Sequence, residues 1–358
     1  MSTADDGRAR PVHELRASTG PLAGAHDTLI LDLDGVVYVG PKAVRHAPEV
    51  LDQVRGDGAH LAYVTNNASR TPAAVAAHLG ELGVKAEPDD VVTSAQAVAR
   101  LIARQVTPGA AVLVVGGSSL ADALAEHGLR AVSGVADRPA AVVQGFDPSM
   151  SWARLAECAY AVQVGTPWFA SNVDATVPTD RGIAPGNGAF VAAVMSTTRA
   201  RPTVAGKPEP GLFDETILRV GGTSPIVIGD RLDTDIEGAN RIGAPSLAVL
   251  TGVSDLSDIV AAEPMLRPTY IGPDLRALTR SQPAVVRDGE WCVCDGVGVR
   301  LSAGVLELGT DTGSASDGYG AAVGVLRAAL SAAWNAPVGS ADPVDVRDVA
   351  AYVDERVR

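Results

Sequence analysis

Three short aliphatic runs in this 358-residue chain stop on polar residues: Thr28 to Leu33 around Asp32-Leu33-Asp34, His60 to Thr65 at Thr65-Asn66-Asn67, and Pro225 to Ile228 at Gly229-Asp230. Amphipathic stretches separate such runs, with His46 to Arg55 and Pro72 to Leu82 reading as helices. Buried strands that alternate with helices are the signature of a parallel sheet joined by crossovers. The interior of such a sheet suits a chain rich in Ala, Val and Gly in which aromatic residues make up only 4%. Open sheets of this kind bind ligands just beyond the carboxyl ends of their strands. The polar residues that end the three runs therefore occupy the edge where chemistry is expected.

About 160 residues lie between the second and third of these strand ends, and they carry strands of their own at Ala111 to Val115, Ala140 to Gln144 and Trp168 to Asn172. That is enough chain for a second compact unit inserted into the first. The expected division is a flexible N-terminal tail over 1–25, a core in two parts over 26–95 and 201–282, an inserted domain over 96–200, and a small C-terminal α+β unit over 283–358. The C-terminal unit reads as a hairpin turning at Asp288-Gly289, further strand residues to Leu308, a Gly/Ser/Asp-rich stretch from Gly309 to Gly320, and helices over Ala321 to Trp334 and Pro343 to Val357. About 75 residues bury too little apolar area to stand alone, so the unit must dock. Docking on its own core or on a second copy of the chain would both serve. The strand edge near Ala284 to Leu308 favours the second, a homodimer.

A net charge of −13 argues against nucleic acid as a partner, because phosphate-backbone binding needs a concentrated basic surface. It leaves room for a small phosphorylated metabolite, which a few local cations and a metal ion would attract. No apolar run approaches the roughly 18 to 20 residues that cross a bilayer, and Met1 to Leu22 lacks the apolar core of a secretory signal, so no membrane association is expected. Three cysteines, Cys158, Cys292 and Cys294, make no disulfide framework and point to a reducing, cytoplasmic setting. Cys292 and Cys294 share a strand face, but one Cys-x-Cys without a second pair reads as buried thiols rather than a zinc site.

The chemistry concentrates at the strand ends. Asp32 and Asp34, at i and i+2, project to the same side while the strand lasts, so one is placed to attack and the other to move protons. Asp230, Asp233 and Asp235 crowd three carboxylates into six residues, a density that asks for a cation such as Mg²⁺. Lys207, in Gly206-Lys207-Pro208, is a cation able to offset charge on a transferring phosphoryl group. Thr65, Asn66 and Asn67 offer hydroxyl, amide and N–H groups suited to phosphate oxygens. Each signal alone also fits a plainer origin: turn-starting aspartates, a solvated acidic loop, a surface lysine, a polar turn. Their joint placement on one sheet, in the order nucleophile, phosphate donors, cation, metal ligands, argues for a single site.

An Asp-x-Asp, a Thr, a Lys and a Gly-Asp acidic motif in that order resemble the haloacid dehalogenase-like phosphatases, and the resemblance runs from Asp27 to Leu278, about 70% of the chain. The large insertion between the Thr and Lys motifs is similar to class II members, with a Rossmann-like parallel-sheet core and an inserted α/β cap domain. Thr65-Asn66-Asn67-Ala68-Ser69-Arg70, Gly206-Lys207-Pro208, Gly229 to Ile236, Ser171-Asn172-Val173-Asp174 and Pro185-Gly186-Asn187-Gly188 look like the subgroup of 4-nitrophenyl-phosphate, phosphoglycolate and glycerol-phosphate phosphatases. The resemblance implies an aspartyl-phosphate on Asp32, which is also a metal ligand. It makes Asp34 the general acid/base and a ligand through its carbonyl, Asp230 the third ligand, and Asp235 and Asp233 carboxylates behind the ligands. Thr65 with the Asn66 and Asn67 backbone would bind phosphate, and Lys207 would neutralise Asp32 and the phosphoryl oxygens. Arg70, Asn172 and Asp174 would face substrate, or else Arg70 pairs on the surface and Asn172 and Asp174 shape a cap turn.

Two other readings use the same residues. A phosphate-accepting signalling domain also pairs aspartates with a lysine on a parallel sheet, but needs an open face that an insertion of this size would cover. Dehalogenase or phosphonatase chemistry would use the same scaffold, yet a haloacid dehalogenase has no use for an acid at Asp34 or for Mg²⁺.

Overall fold

The structure is a computed structural model, described for residues 15–179, 181–309, 317–336 and 343–357. It divides into two compact units, one of residues 1–61, 82–84 and 222–358, the other of 62–81 and 85–221.

In the first unit, four parallel strands lie in the order Tyr270–Gly272, Ser246–Val249, Pro225–Gly229, Thr28–Asp32. Every residue of Thr28–Asp32 and of Ser246–Val249 is buried, as parallel strands covered on both faces demand. Thr28 pairs with Pro225 and Leu31 with Ile228. That register brings Asp32 level with Gly229, so Asp32 and Asp230 leave the sheet side by side. The base of the pair is tied by Asp27, whose carboxylate accepts from Thr223 N at 2.8 Å, Thr223 Oγ1 at 2.6 Å and Ser224 N at 3.0 Å.

The N-terminal segment departs from expectation. Residues 1–14 of the anticipated tail lie outside the described residues, but 15–25 are docked. Arg16 N donates to Thr269 O at 3.1 Å, Ser18 N to Gln282 O at 2.8 Å, and Leu22 is fully buried in a short helix, Leu22–Ala25. Main-chain hydrogen bonds ask nothing of side-chain polarity, which is why a polar stretch read as loose.

The C-terminal residues form a four-stranded antiparallel meander, Val286–Asp288, Trp291–Cys294, Val297–Ser302 and Val305–Leu308. Asp295-Gly296 and Ala303-Gly304 make its last two turns with positive φ at both residues, the backbone twist that two-residue hairpins favour. Most of the Gly309 to Gly320 stretch lies outside the described residues. Helices Gly318–Trp334 and Arg347–Val357 follow. Val297, Val299, Leu306, Val325, Leu326, Ala329 and Val353 share one apolar core with Leu232, Ile236, Ile259 and Ile271 of the parallel-sheet part. Arg327, fully buried, donates to Pro283 O at 2.7 Å, Gln282 Oε1 at 2.9 Å and Arg16 O at 2.8 Å, tying the N-terminal segment to the start of the C-terminal part. The small C-terminal part thus completes its core within its own chain, which removes the packing argument for a second copy.

The second unit holds the parallel pair His60–Thr65 and Val91–Thr93, whose first strand begins in the other unit, and a five-stranded parallel sheet. The order of the five is Thr203–Val204, Trp168–Ala170, Ala141–Gln144, Ala111–Val115, Arg130–Val132. Thr203–Val204 pairs with Phe169 and Ala170, so the inserted sheet keeps the chain beyond residue 200, where the sequence had suggested the return. A two-residue strand carries too little periodicity to be read in advance. Helices Trp152–Gln163 and Asn187–Thr198 pack together, and a hairpin, Thr176–Thr179 with Gly182–Pro185, precedes the second of them.

Candidate active site

Asp32 is the last residue of its strand and is buried. The chain then turns sharply: Leu33 O accepts from Val37 N at 2.9 Å and Tyr38 N at 3.1 Å, and Gly35 takes φ +86°. Strand alternation therefore stops before Asp34, which is exposed while Asp32 is not. The same-side projection expected for the two holds only up to the strand end.

Asp230 follows Pro225–Gly229 and, with Arg231 as the N-cap, precedes a single π-helical turn, Leu232–Ile236. Ile236 N reaches back five residues to Arg231 O at 3.2 Å. That wider turn returns Asp235 to the strand end, where it is fully buried and accepts from Arg231 N at 3.2 Å. Such turns recur at functional sites because they re-aim one side chain. One carboxylate oxygen each from Asp32, Asp230 and Asp235 lies within 4.8 Å of the others. Asp233 does not join them. It is the one exposed residue of the turn and pairs with Arg231 at 2.8 Å.

Three glycines make the cluster possible. A Cβ on Gly35 would come within 2.5 Å of Asp230 Cγ, one on Gly252 within 2.7 Å of Asp230 Cβ, and one on Gly229 within 2.5 Å of Asp235 Oδ2. Val253 N donates to Asp230 Oδ2 at 2.7 Å, Ser254 N to Asp230 O at 3.0 Å, and Thr251 Oγ1 to Gly35 O at 2.6 Å. The 251–254 loop carries no motif that marks it as part of the site. Its only signal is a glycine after a fourth buried strand, Ser246–Val249. Three buried carboxylates this close repel one another strongly unless a cation lies among them. Hard oxygen donors of this kind suit Mg²⁺, so the residues fit the metal.

The second unit assembles a polar node around the end of His60–Thr65. Thr65 is buried and its Oγ1 accepts from Asn67 N at 3.1 Å. Asn67 is exposed and its Oδ1 accepts from Ser69 N at 2.8 Å, which shapes the loop that follows. Asn66 Oδ1 accepts from Lys207 N at 2.8 Å, while its Nδ2 donates to Lys207 O and to Asp174 Oδ1, both at 3.1 Å. Lys207 is buried. Asn172 is 3% exposed, and its amide donates to Asn66 O at 2.7 Å and accepts from Asp174 N at 3.2 Å. Thr65, Asn66, Lys207, Asn172 and Asp174 are thus brought together. Arg70 is exposed and lines a small cavity beside Gln96, Asp122 and Glu126.

A parallel α/β scaffold that gathers buried carboxylates beyond adjacent strand ends defines an enzyme built to work with a hard divalent cation. Two models of the haloacid dehalogenase-like and HAD-hydrolase-like families match residues 29–130 and 204–278. The chain belongs to the haloacid dehalogenase-like hydrolase family. It is 46% identical over 339 residues to the D-glycerol 3-phosphate phosphatase of Mycobacterium tuberculosis, covering 94% of this chain and 93% of that one. The crystal structure of the M. tuberculosis glycerol phosphate phosphatase in complex with magnesium superposes with a TM-score of 0.81 at 44% identity, over 96% of this chain and 99% of that one. The acid sugar phosphatase of Staphylococcus aureus is 37% identical over 248 residues, 69% of this chain and 94% of its own. Among the described residues no helix is long and apolar enough to cross a membrane.

Proposed function

We propose that this protein is a Mg²⁺-dependent phosphatase of small phosphomonoesters, with glycerol 3-phosphate as the leading substrate and phosphoglycolate-like metabolites next. The observation that carries the reading is the buried Asp32, Asp230 and Asp235 cluster, in a chain that matches a D-glycerol 3-phosphate phosphatase over 94% of its length. Asp32, Asp230 and the main-chain carbonyl of Asp34 would hold the metal, with Asp235 beside them. The ion would offset the repulsion between the Asp32 carboxylate and the phosphate dianion.

In the first half-reaction an Asp32 carboxylate oxygen attacks phosphorus. The new P–O bond forms as the ester P–O bond breaks, and Asp34 delivers its proton to the leaving oxygen. In the second, Asp34 takes a proton from water, whose oxygen attacks the same phosphorus and releases inorganic phosphate with Asp32 restored. Asp34 is suited to this exchange by its exposure, which leaves it open to solvent protons, whereas burial of Asp32 shields the acyl phosphate. Thr65 and the Asn66 and Asn67 main chain would hold the phosphoryl oxygens and Lys207 would balance their charge. A division into a two-part core, a cap whose sheet runs on to Thr203–Val204, and a C-terminal appendage belongs to the same reading, in which the cap restricts access to small substrates.

A cytoplasmic location fits three cysteines that are all free. For a homodimer the support left is the exposed edge strand Val286–Asp288, which a second copy could extend, and not core packing. The test is turnover of purified protein on glycerol 3-phosphate, phosphoglycolate and 4-nitrophenyl phosphate, with Mg²⁺ and after EDTA, beside Asp32→Asn. Mg²⁺-dependent hydrolysis that Asp32→Asn abolishes is expected. Full activity after metal removal, or in Asp32→Asn, would refute the mechanism.

A further inference from the structure

Asn66 follows the residue assigned to phosphate, yet its own side chain is spent on protein. One planar amide holds both polar groups of the Lys207 main chain, accepting from N at 2.8 Å and donating to O at 3.1 Å, as a paired strand would. Gly206 makes this approach possible, since a Cβ there would come within 2.7 Å of Asn66 Oδ1 and 2.5 Å of Ser171 O. The amide has only one workable orientation. An ionised Asp174 carboxylate only accepts, so the Nδ2 end of Asn66 must face it, at 3.1 Å, and Oδ1 is thereby turned toward Lys207 N–H. The reversed amide would set oxygen against carboxylate and NH₂ against N–H. The main chain of Asn66 is held as well, its carbonyl accepting from Asn172 Nδ2 at 2.7 Å and Ser94 Oγ at 2.5 Å.

We infer that Asn66 is the positioning residue of Lys207, and that Asp174 sets the orientation of the Asn66 amide. The inference rests on Lys207 being the cation of the phosphoryl site, and it assigns Asn66 a task other than touching phosphate. A lysine ammonium on four rotatable carbons is placed only as well as its main chain, and here that main chain is gripped by one side chain from a strand end remote in sequence.

The test is a double-mutant cycle on the full chain, read by calorimetric binding of inorganic phosphate and by kcat/KM. Asn66→Ala should weaken both on the order of ten- to a hundredfold. In a Lys207→Ala background the same change should cost less than about twofold, because nothing is left to position. Losses of equal size in the two backgrounds overturn the inference alone. Wild-type behaviour of Lys207→Ala overturns the role of Lys207 and this inference with it. Asn66→Asp supplies a second route that keeps the side-chain volume: it retains an acceptor for Lys207 N–H but opposes Asp174. Its loss should be partly rescued by adding Asp174→Asn, which returns a donor to the pair. No rescue overturns the part assigned to Asp174.

Discussion

Gly252→Ala isolates the geometry of the carboxylate cluster from its chemistry, because no ligand is changed and the backbone at Gly252 is not in the left-handed region. The added methyl would start 2.7 Å from Asp230 Cβ and closer to the carboxylate itself. Carbon atoms in contact rest about 3.5 Å apart, so Asp230 must retreat by about 0.8 Å or more. Mg²⁺ holds its ligands in near-ideal geometry with a tolerance of about 0.2 Å, several times less than that shift. A misplacement approaching 1 Å costs on the order of a hundredfold in rate, or about 2.7 kcal/mol of transition-state stabilisation. Overpacking should also lower stability by about 1 to 3 kcal/mol, so the melting temperature is measured alongside. The assay is kcat/KM as a function of Mg²⁺ concentration, with Gly56→Ala as control, since a Cβ there meets nothing within 4 Å. A weaker Mg²⁺ activation and a hundredfold loss are expected in Gly252→Ala alone. Wild-type Mg²⁺ activation and turnover in a folded Gly252→Ala protein would refute the argument that this glycine makes room for Asp230.

Asp34→Asn should lose about 10² to 10⁴ in rate on glycerol 3-phosphate, whose alkoxide must be protonated, and far less on 4-nitrophenyl phosphate; equal losses would remove Asp34 as the acid. Hydrogen bonds from the Thr223 hydroxyl and N–H, with Ser224 N–H, lower the Asp27 carboxyl to about 2. A depressed folded-state value stabilises above the unfolded value near 4 and loses that stabilisation as pH falls toward 2. Asp27 is exposed, which limits the effect to less than about 1 kcal/mol. The stability gap between wild type and Asp27→Asn, read from urea midpoints, should therefore narrow below pH 4, and a gap independent of pH would count against the linkage. Burial pushes the Cys158 thiol up to about 12 and Cys294 up to about 11. Ellman's reagent should leave the native protein almost unreacted and titrate three thiols after unfolding; rapid native reaction would contradict their burial.

Much of the architecture was legible because it rests on local patterns. His60–Thr65 and Ala111–Val115 begin and end where their aliphatic runs do, and Thr28–Asp32 and Pro225–Gly229 fall within one residue of the reading. Helix Pro72–Glu81 likewise stops one residue short of its expected end. Strands buried on both faces leave an unbroken apolar record, and the residues that end them are conspicuous because they are polar. Asp32 and Asp230 were visible for that reason. Asp295-Gly296, between Trp291–Cys294 and Val297–Ser302, is an equally plain hairpin signal.

What the sequence left open depended on contacts between residues far apart in the chain. Register sets Asp32 beside Asp230. A π turn rather than an ordinary one buries Asp235 and leaves Asp233 in solvent, and no residue type in Leu232–Ile236 announces that choice. The part played by Gly252 exists only because the 251–254 loop packs on Asp230. Asn66 was legible as a polar strand end, but not as the partner of a lysine 141 residues away. The docking of residues 15–25 and of the C-terminal meander was hidden for the same reason. Main-chain hydrogen bonds and shared apolar surface leave no periodic mark, so the amino-acid sequence named the reacting groups while the tertiary structure decided which neighbours hold them in place.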